Sequence, residues 1–325
     1  MQQMTHDAPV IPRTRMASGF GFALTSAVSF GLAGPLARGL MDNGWSAGAT
    51  VTARIMLAAA VLVPAAVISL RGRWHLVRNN LGLIVGYGLA AVTLAQFAFF
   101  NSIRYLPVGM GLLIEYTAPV AVVVWMWLRH GHRPTWITAV GALLAGLGLI
   151  LVLDVISGAN FNPIGVAWAL AAMLGAATYF VVSADEDNGL PPLVLAAGGL
   201  LFGGSALLLL GALGLVPMTW EYVDATYALG QVSWWLPIVG LGLVTAATSY
   251  VTGIAGVRRL GSRLASFVAL TEVLAALAFA WLLLAELPRP IQFVGAAFIL
   301  GGVVVVKLGE RPPVHHVADE VPVGV

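Results

Sequence analysis

The chain contains no cysteine among its 325 residues, which excludes a disulfide framework, a thiolate metal site and a cysteine nucleophile. Its six histidines (His6, His75, His130, His132, His315 and His316) all fall in the tails or between apolar runs. No histidine metal set or proton relay can therefore sit inside those runs, and neither a metal nor a cofactor is expected. Lysine occurs once, at Lys307. Charged residues of every kind reach only 9%, where a soluble globular chain carries about 25%. The formal net charge of +2 is too small to mark a nucleic-acid partner.

What is present is hydrocarbon. Hydrophobic residues make up 59% of the chain, and the mean hydropathy is +0.93. After a polar leader, ten apolar runs follow, each close to the length of about twenty residues that crosses a bilayer core as helix. They are roughly Ala17 to Leu40, Ala47 to Leu70, Leu81 to Ser102, Val108 to Leu128, Thr135 to Leu153, Pro163 to Ser183, Pro191 to Leu213, Trp234 to Gly256, Leu264 to Ala285 and Ile291 to Val306. The first is too long for a signal segment and is read as a retained helix. Connections are short and rich in Gly, Asn and Pro, and only Leu215 to Ser233 is long. The expected fold is an all-α integral membrane protein of ten transmembrane helices, with the lipid bilayer as its solvent and no soluble domain.

Basic residues orient such a chain, because Lys and Arg near helix ends stay on the cytoplasmic side. An N-terminus inside places Arg13, Arg15, Arg71, Arg73, Arg78, Arg129, Arg133, Arg258, Arg259, Arg263, Lys307 and Arg311 inside, and only Arg38, Arg104 and Arg289 outside. Both termini are then cytoplasmic, with tails at 1–16 and 308–325. Two five-helix halves occupy 17–153 and 163–307. Trp45, Trp74, Trp127, Trp136, Trp220 and Trp281 lie near the ends of the runs and read as belt anchors.

The two halves repeat each other. From Arg104 to Val152 the sequence matches Arg258 to Val306 without a gap, with about thirteen of roughly fifty positions identical. Thr117 falls on Thr271, Trp127-Leu128 on Trp281-Leu282, Pro134 on Pro288, and Gly148 on Gly302. Five helices is an odd number, so the second half enters the membrane from the opposite side and the repeat is inverted. Inverted repeats place a central site between two bundles that rock to expose it to each side in turn.

An ionised side chain near the bilayer centre needs a partner or a water-filled cavity. Arg54, Glu115 and Glu272 are in that position. The two glutamates flank the shared threonines, and inversion displaces both toward the same side by only about 3 and 1.5 Å at 1.5 Å per residue. They are candidates for substrate and proton binding, with protons as the coupling ion. The alternative is that one glutamate pairs with Arg54 and the set locks the bundle. Tyr116, Thr117, Thr271, Gln96, Asn101, Trp168, Tyr179 and Tyr250 complete the candidate lining, and Pro119 is a candidate hinge in the fourth run. The fifth and tenth runs carry small residues instead (Gly141, Ala145, Gly148; Gly295, Gly301, Gly302). Such faces suit close packing within the protomer or across a homodimer.

These features resemble the EamA family of the drug/metabolite transporter superfamily over about residues 17 to 307. The best-matched stretches are Arg104 to Pro119, Trp281 to Glu286 and Gly295 to Gly302. The order glutamate, aromatic, threonine, small residue, proline at 115 to 119 is similar to the threonine/homoserine exporter branch, although Val273 stands where that branch has proline. The resemblance implies a small-molecule substrate, an amino acid, exported across the bacterial cytoplasmic membrane by antiport. A bulkier aromatic amino acid or hydrophobic drug is the rival, supported by Tyr116, Tyr179, Tyr250 and Phe97 to Phe100. A non-transporting scaffold or sensor accounts poorly for buried carboxylates in a duplicated frame. An intramembrane enzyme would need a nucleophile with its base or a metal set inside the bilayer, and the apolar runs hold neither.

Overall fold

The computed structural model describes residues 13–118, 120–121, 128, 135–152, 162–183 and 189–309. The first apolar run forms α1 (Arg13–Gly31) and α2 (Ala33–Met41), with Leu32 alone between them. The sequence reading made this one helix. Pro35 has no N–H to donate to the carbonyl of Gly31, four residues back, and the ladder opens there. The second run is the single helix α3 (Ala47–Leu70), which Ser46 caps by accepting from the Ala49 N–H at 3.2 Å. A short helix α4 (Trp74–Asn79) leads into the third run, which splits into α5 (Leu81–Tyr87), a π-helical segment at Gly88–Leu94, and α6 (Ala95–Ser102).

The fourth run begins as α7 (Val108–Glu115), turns at Tyr116 and Thr117, and is helical again at Ala118, Val120, Ala121 and the expected Leu128. Pro119 lacks the N–H that would reach the Glu115 carbonyl, so the regular ladder stops at Tyr116. Pro119 itself, the candidate hinge, lies outside the described residues. The fifth, sixth and seventh runs are α8 (Trp136–Val152), α9 (Pro163–Ser183) and α10 (Pro192–Ala212). The eighth opens as α11 (Trp235–Val239), passes through a second π-helical segment at Gly240–Thr248, and continues as α12 (Ser249–Ala269). Helix continues through the expected connection at 257 to 263, where the sequence has no proline to stop it, and Leu270 alone separates α12 from α13 (Thr271–Leu284). The tenth run is α14 (Pro290–Gly309).

Among the described residues, five helical stretches are long and apolar enough, by length and composition, to cross a membrane: Met16–Met41, Ala47–Leu70, Leu81–Ser102, Leu193–Ala212 and Trp235–Gly253. Shorter apolar helices stand beside them.

The helices pair in a pattern that occurs twice. α1 lies on α12 as α9 lies on α6, and α1 touches α13 as α9 touches α7. α3 packs on the second π segment as α10 packs on the first, α3 packs on α10, and α7 packs on α13. α8 and α14 close the set against each other in antiparallel register. A Cβ on Gly148 would meet the Gly295 carbonyl and Ile299 nitrogen at 2.6 Å, and one on Gly302 would meet the Ala145 nitrogen at 2.6 Å. The small faces thus serve contact within the protomer.

One end of the bundle is covered by the long connection, and here the all-α expectation needs amending. Residues Ala225–Tyr227 (β1) and Gly230–Val232 (β2) form a two-stranded antiparallel hairpin, with Tyr227 opposite Gly230. Gly230 has φ +129, which side-chain-bearing residues rarely adopt. The Tyr227 hydroxyl donates to the Leu36 carbonyl at 2.9 Å, and the Ala228 N–H to the Leu283 carbonyl at 2.7 Å. Nearby, the Ser46 hydroxyl donates to the Pro217 carbonyl at 2.7 Å, and the Trp45 indole donates to the Glu221 carbonyl at 2.9 Å. Trp45 is buried and stacks on Trp234, so it holds this cover rather than anchoring in a lipid belt. Trp74, Trp136, Trp220 and Trp281 are exposed.

Replacing Gly148 by alanine should destabilise the protein by about 1–3 kcal/mol through overpacking. Gly146 on the same helix has open space where a Cβ would go, and its alanine variant should melt like the parent. Thermal unfolding in detergent compares the two, and equal melting temperatures would show that the α8–α14 contact is looser than described.

Candidate functional site

Between the two halves lies a cavity of about 290 Å³, lined from α1, α2, α3, the first π segment, α6, α7, α9, α12 and α13. Seven residues singled out in the sequence meet there: Arg54, Gln96, Glu115, Tyr116, Tyr179, Tyr250 and Glu272. Phe30 and Phe99 complete the aromatic part of the wall. Phe30 escaped the sequence reading because nothing distinguishes one phenylalanine of an apolar helix from another.

The remaining candidates lie elsewhere. Asn101 is buried and donates to the Phe97 carbonyl of its own helix at 2.8 Å. Trp168 packs edge-on against Phe97 at 5.7 Å between ring centres. Thr117 and Thr271 do not line the cavity, yet they do the same thing in each half. The Thr117 hydroxyl donates to the Ile114 carbonyl at 2.7 Å, and the Thr271 hydroxyl donates to the Val268 carbonyl at 2.6 Å. Both bonds reach back three residues, at the places where α7 ends and where Leu270 interrupts the chain. Glu115 is the last residue of α7, and Glu272 stands in the first turn of α13, where the helix dipole favours a negative charge. Each half therefore presents a broken helix, a threonine that occupies a loosened carbonyl, and a glutamate beside the break.

Tyr116 joins the two breaks. Its hydroxyl lies 2.8 Å from a Glu272 carboxylate oxygen and 3.1 Å from the Ala269 carbonyl. A residue at the end of α7 thus reaches both flanks of the interruption between α12 and α13.

Arg54 projects from the middle of α3 and is only 4% exposed. One of its terminal nitrogens donates to the Thr245 carbonyl at 2.9 Å. Thr245 lies inside the second π segment, where hydrogen-bond spacing departs from the α ladder. The guanidinium also lies 5.8 Å from the Phe30 ring centre and 5.6 Å from that of Phe100, within cation–π range. Among the described residues the ion pair is Arg38 with Asp42 at 3.0 Å. Arg54 thus lies beyond ion-pair distance of both Glu115 and Glu272. Among the described residues, two buried polar atoms of the cavity lining have no hydrogen-bond partner: Arg54 Nε and Gln96 Oε1.

Polar contacts outside the spanning helices gather at the hairpin end. Arg38 donates to the carbonyl of Ile103 and, at 3.4 Å, to that of Leu106. Pro107 gives α7 no side-chain cap, and Glu286 supplies one from the other half by accepting the Val108 N–H at 2.9 Å. Burial raises the Glu286 carboxyl above the usual carboxylate value of 4.5. The Val108 N–H and Arg38 oppose that rise, and Asp42 adds to it. Burial likewise raises the Tyr227 hydroxyl, with Asp42 acting in the same direction. Tyr227 therefore stays a donor to Leu36 at ordinary pH.

Two stretches of the chain, residues 17–154 and 163–308, match the model of the EamA-like transporter family. The chain belongs to this family. Among its relatives are an uncharacterized transporter of Archaeoglobus fulgidus, 27% identical over 67% of this chain and 74% of that one, and the uncharacterized transporter YwfM of Bacillus subtilis, 26% identical over 69% and 73%. A probable terminal-alkyne amino-acid exporter of Streptantibioticus cattleyicolor is 28% identical over 64% of this chain and 67% of its own. A solved crystal structure covering 91% of the chain, and 96% covered itself, shares the fold with a TM-score of 0.57 at 21% identity. This EamA protein is a multi-pass membrane protein and a transporter rather than an enzyme.

The raised Glu286 carboxyl predicts a pH effect of definite sign. A carboxyl raised in the folded state contributes stability below its unfolded value, and that contribution is lost as pH rises through the folded value. Glu286→Gln keeps an acceptor for Val108 and removes the charge. The melting temperature of the parent relative to this variant should therefore fall as pH rises from 4.5 toward 7. A difference that grows with pH would show that the capping bond outweighs burial.

Proposed function

We propose that the chain is a secondary transporter of the bacterial cytoplasmic membrane that exports a small polar metabolite, an amino acid, by proton-coupled alternating access. One observation carries this reading: Glu115 and Glu272, each beside a break in the equivalent helix of its half, face one cavity. Discontinuous helices at the junction of two repeats are the usual architecture of substrate and ion sites in secondary transporters. The twofold repetition of helix contacts, with α8 antiparallel to α14, agrees with an inverted repeat.

The cavity contains one cation, Arg54, and two carboxylates within electrostatic range of it. One ionised carboxylate balances the arginine. The other can hold a proton and exchange it for a positively charged group of the substrate, and this exchange is what couples export to proton entry. About 290 Å³ lies at the lower edge of the range typical of small-molecule sites, which suits a single compact molecule. The terminal-alkyne amino-acid exporter among the relatives points to the same substrate class.

Orientation by the basic residues puts the hairpin end outside. Bonds from Trp45, Ser46, Tyr227 and Val108 to the opposite half crowd that end, so this conformation is sealed outward. Export then requires these contacts to part while the opposite end closes.

The aromatic wall of Phe30, Phe99, Tyr179 and Tyr250 favours a second reading, in which the amino acid has a large apolar or aromatic side chain.

Proteoliposomes loaded with labelled amino acids of graded size and placed in an imposed pH gradient test both readings. Gradient-driven flux of at least one amino acid is expected. In Glu115→Gln the gradient dependence should disappear, because one exchangeable proton is gone. Gradient-driven flux at the parent rate in that variant would overturn the coupling assignment. The size of the preferred substrate separates the small polar from the aromatic reading.

A further inference from the structure

A buried arginine without a carboxylate at ion-pair distance is costly in a membrane protein, and this one is also held in place. The Thr245 carbonyl takes one terminal nitrogen of Arg54, and the Phe30 and Phe100 rings lie close to its guanidinium. Nothing takes its Nε–H. Arg54 is nevertheless part of the cavity lining. Buried polar groups without partners are rare in native proteins, and each calls for an explanation.

From the lining of this cavity, we infer that Arg54 is the seat for an anionic group of the substrate, a carboxylate. The anchored terminal nitrogen fixes the plane of the guanidinium, so the donor is preorganised and no side-chain ordering is required when the anion arrives. Glu115 and Glu272 serve the other pole, and Gln96 Oε1, the second unpartnered atom, accepts a hydrogen from the same ligand. A zwitterion satisfies all of these groups at once. A simple amine leaves the arginine unpaired, and a simple acid leaves the carboxylates without a cation. The arginine therefore selects zwitterions over amines, while the aromatic wall reads the side chain. This inference rests on the proposed export of an amino acid and assigns which residue recognises its carboxylate.

The charged and titratable groups around the cavity are Arg54 from α3, Glu115 and Tyr116 at the end of α7, Tyr179 from α9, Tyr250 from α12 and Glu272 from α13. Among the described residues Arg54 is the one cation in the lining, so no described neighbour can replace it as a carboxylate partner. Its removal should reach selectivity directly, whereas loss of a merely structural arginine would weaken all ligands alike.

The test compares binding of L-phenylalanine, phenylalaninamide and 2-phenylethylamine, with L-threonine and L-threoninamide as a small-side-chain series. Full-length protein in lipid nanodiscs is used, and calorimetry is the readout. These series differ in the carboxylate and keep the amine. The parent should bind the better-fitting amino acid at least tenfold more tightly than its amide or amine. In Arg54→Gln that preference should collapse to within about twofold, with amine binding kept as evidence of a folded cavity. Equal affinity of the parent for acid, amide and amine would overturn the inference and leave amine export standing. Retention of the parent preference in Arg54→Gln would also overturn it. If the parent binds no member of either series, the proposed substrate class falls and the carboxylate seat falls with it. Should Arg54→Gln not fold, the parent comparison alone decides, because it needs no variant.

Discussion

Every break in a helix that crosses hydrocarbon frees backbone groups that no water can satisfy, and the site of this protein is organised around that constraint. α7 stops at Glu115, and Leu270 interrupts the path from α12 to α13. The loosened carbonyls are taken up locally. Thr117 serves Ile114, Thr271 serves Val268, and Tyr116 reaches across to Ala269. The π segments obey the same rule at the neighbouring helices, where Thr93 lies 3.0 Å from the carbonyls of both Gly88 and Gly203, and Arg54 serves Thr245. Polar side chains that would otherwise be unwelcome in a bilayer are thus fixed by the backbone they satisfy. Glu115, Glu272 and Arg54 are gathered around one cavity.

Stability and mobility are divided between different parts of the bundle. α8 and α14 meet through glycines at backbone distance, and α3 and α10 pack along each other. These contacts are extensive and apolar. The junctions at the hairpin end consist of single hydrogen bonds instead: Tyr227 to Leu36, Val108 to Glu286 and Trp45 to Glu221. Each is worth about 1 kcal/mol net. Both packed pairs join one half of the chain to the other, whereas the rim is held by fewer contacts.

Much of this was legible in the sequence, for identifiable reasons. Duplication shows because Thr117 and Thr271 perform the same local task, and the glycines of the fifth and tenth runs meet each other directly. Glu115, Glu272 and Arg54 stand out because charge is rare in such a chain. Side-chain direction was not legible: Asn101 turns to its own helix, and Trp168 to Phe97, although composition gives them the same standing as Gln96. The hairpin was hidden because strands of three residues leave no period to detect. The π segments were hidden because a change of hydrogen-bond spacing leaves the apolar pattern intact. Pairing of Arg54 with a glutamate was the alternative reading, and its anchor is instead the Thr245 carbonyl inside the π segment.

The central claim is that one cavity trades a proton for the substrate's positive charge. It is tested most directly by proton release on binding, with purified protein in weakly buffered detergent and a pH-indicator dye, as a transported amino acid is added. The account predicts release of about one proton per molecule bound, by the linkage between proton and ligand, and no release in Glu115→Gln with Glu272→Gln. Saturable binding without any proton release by the parent protein would contradict it.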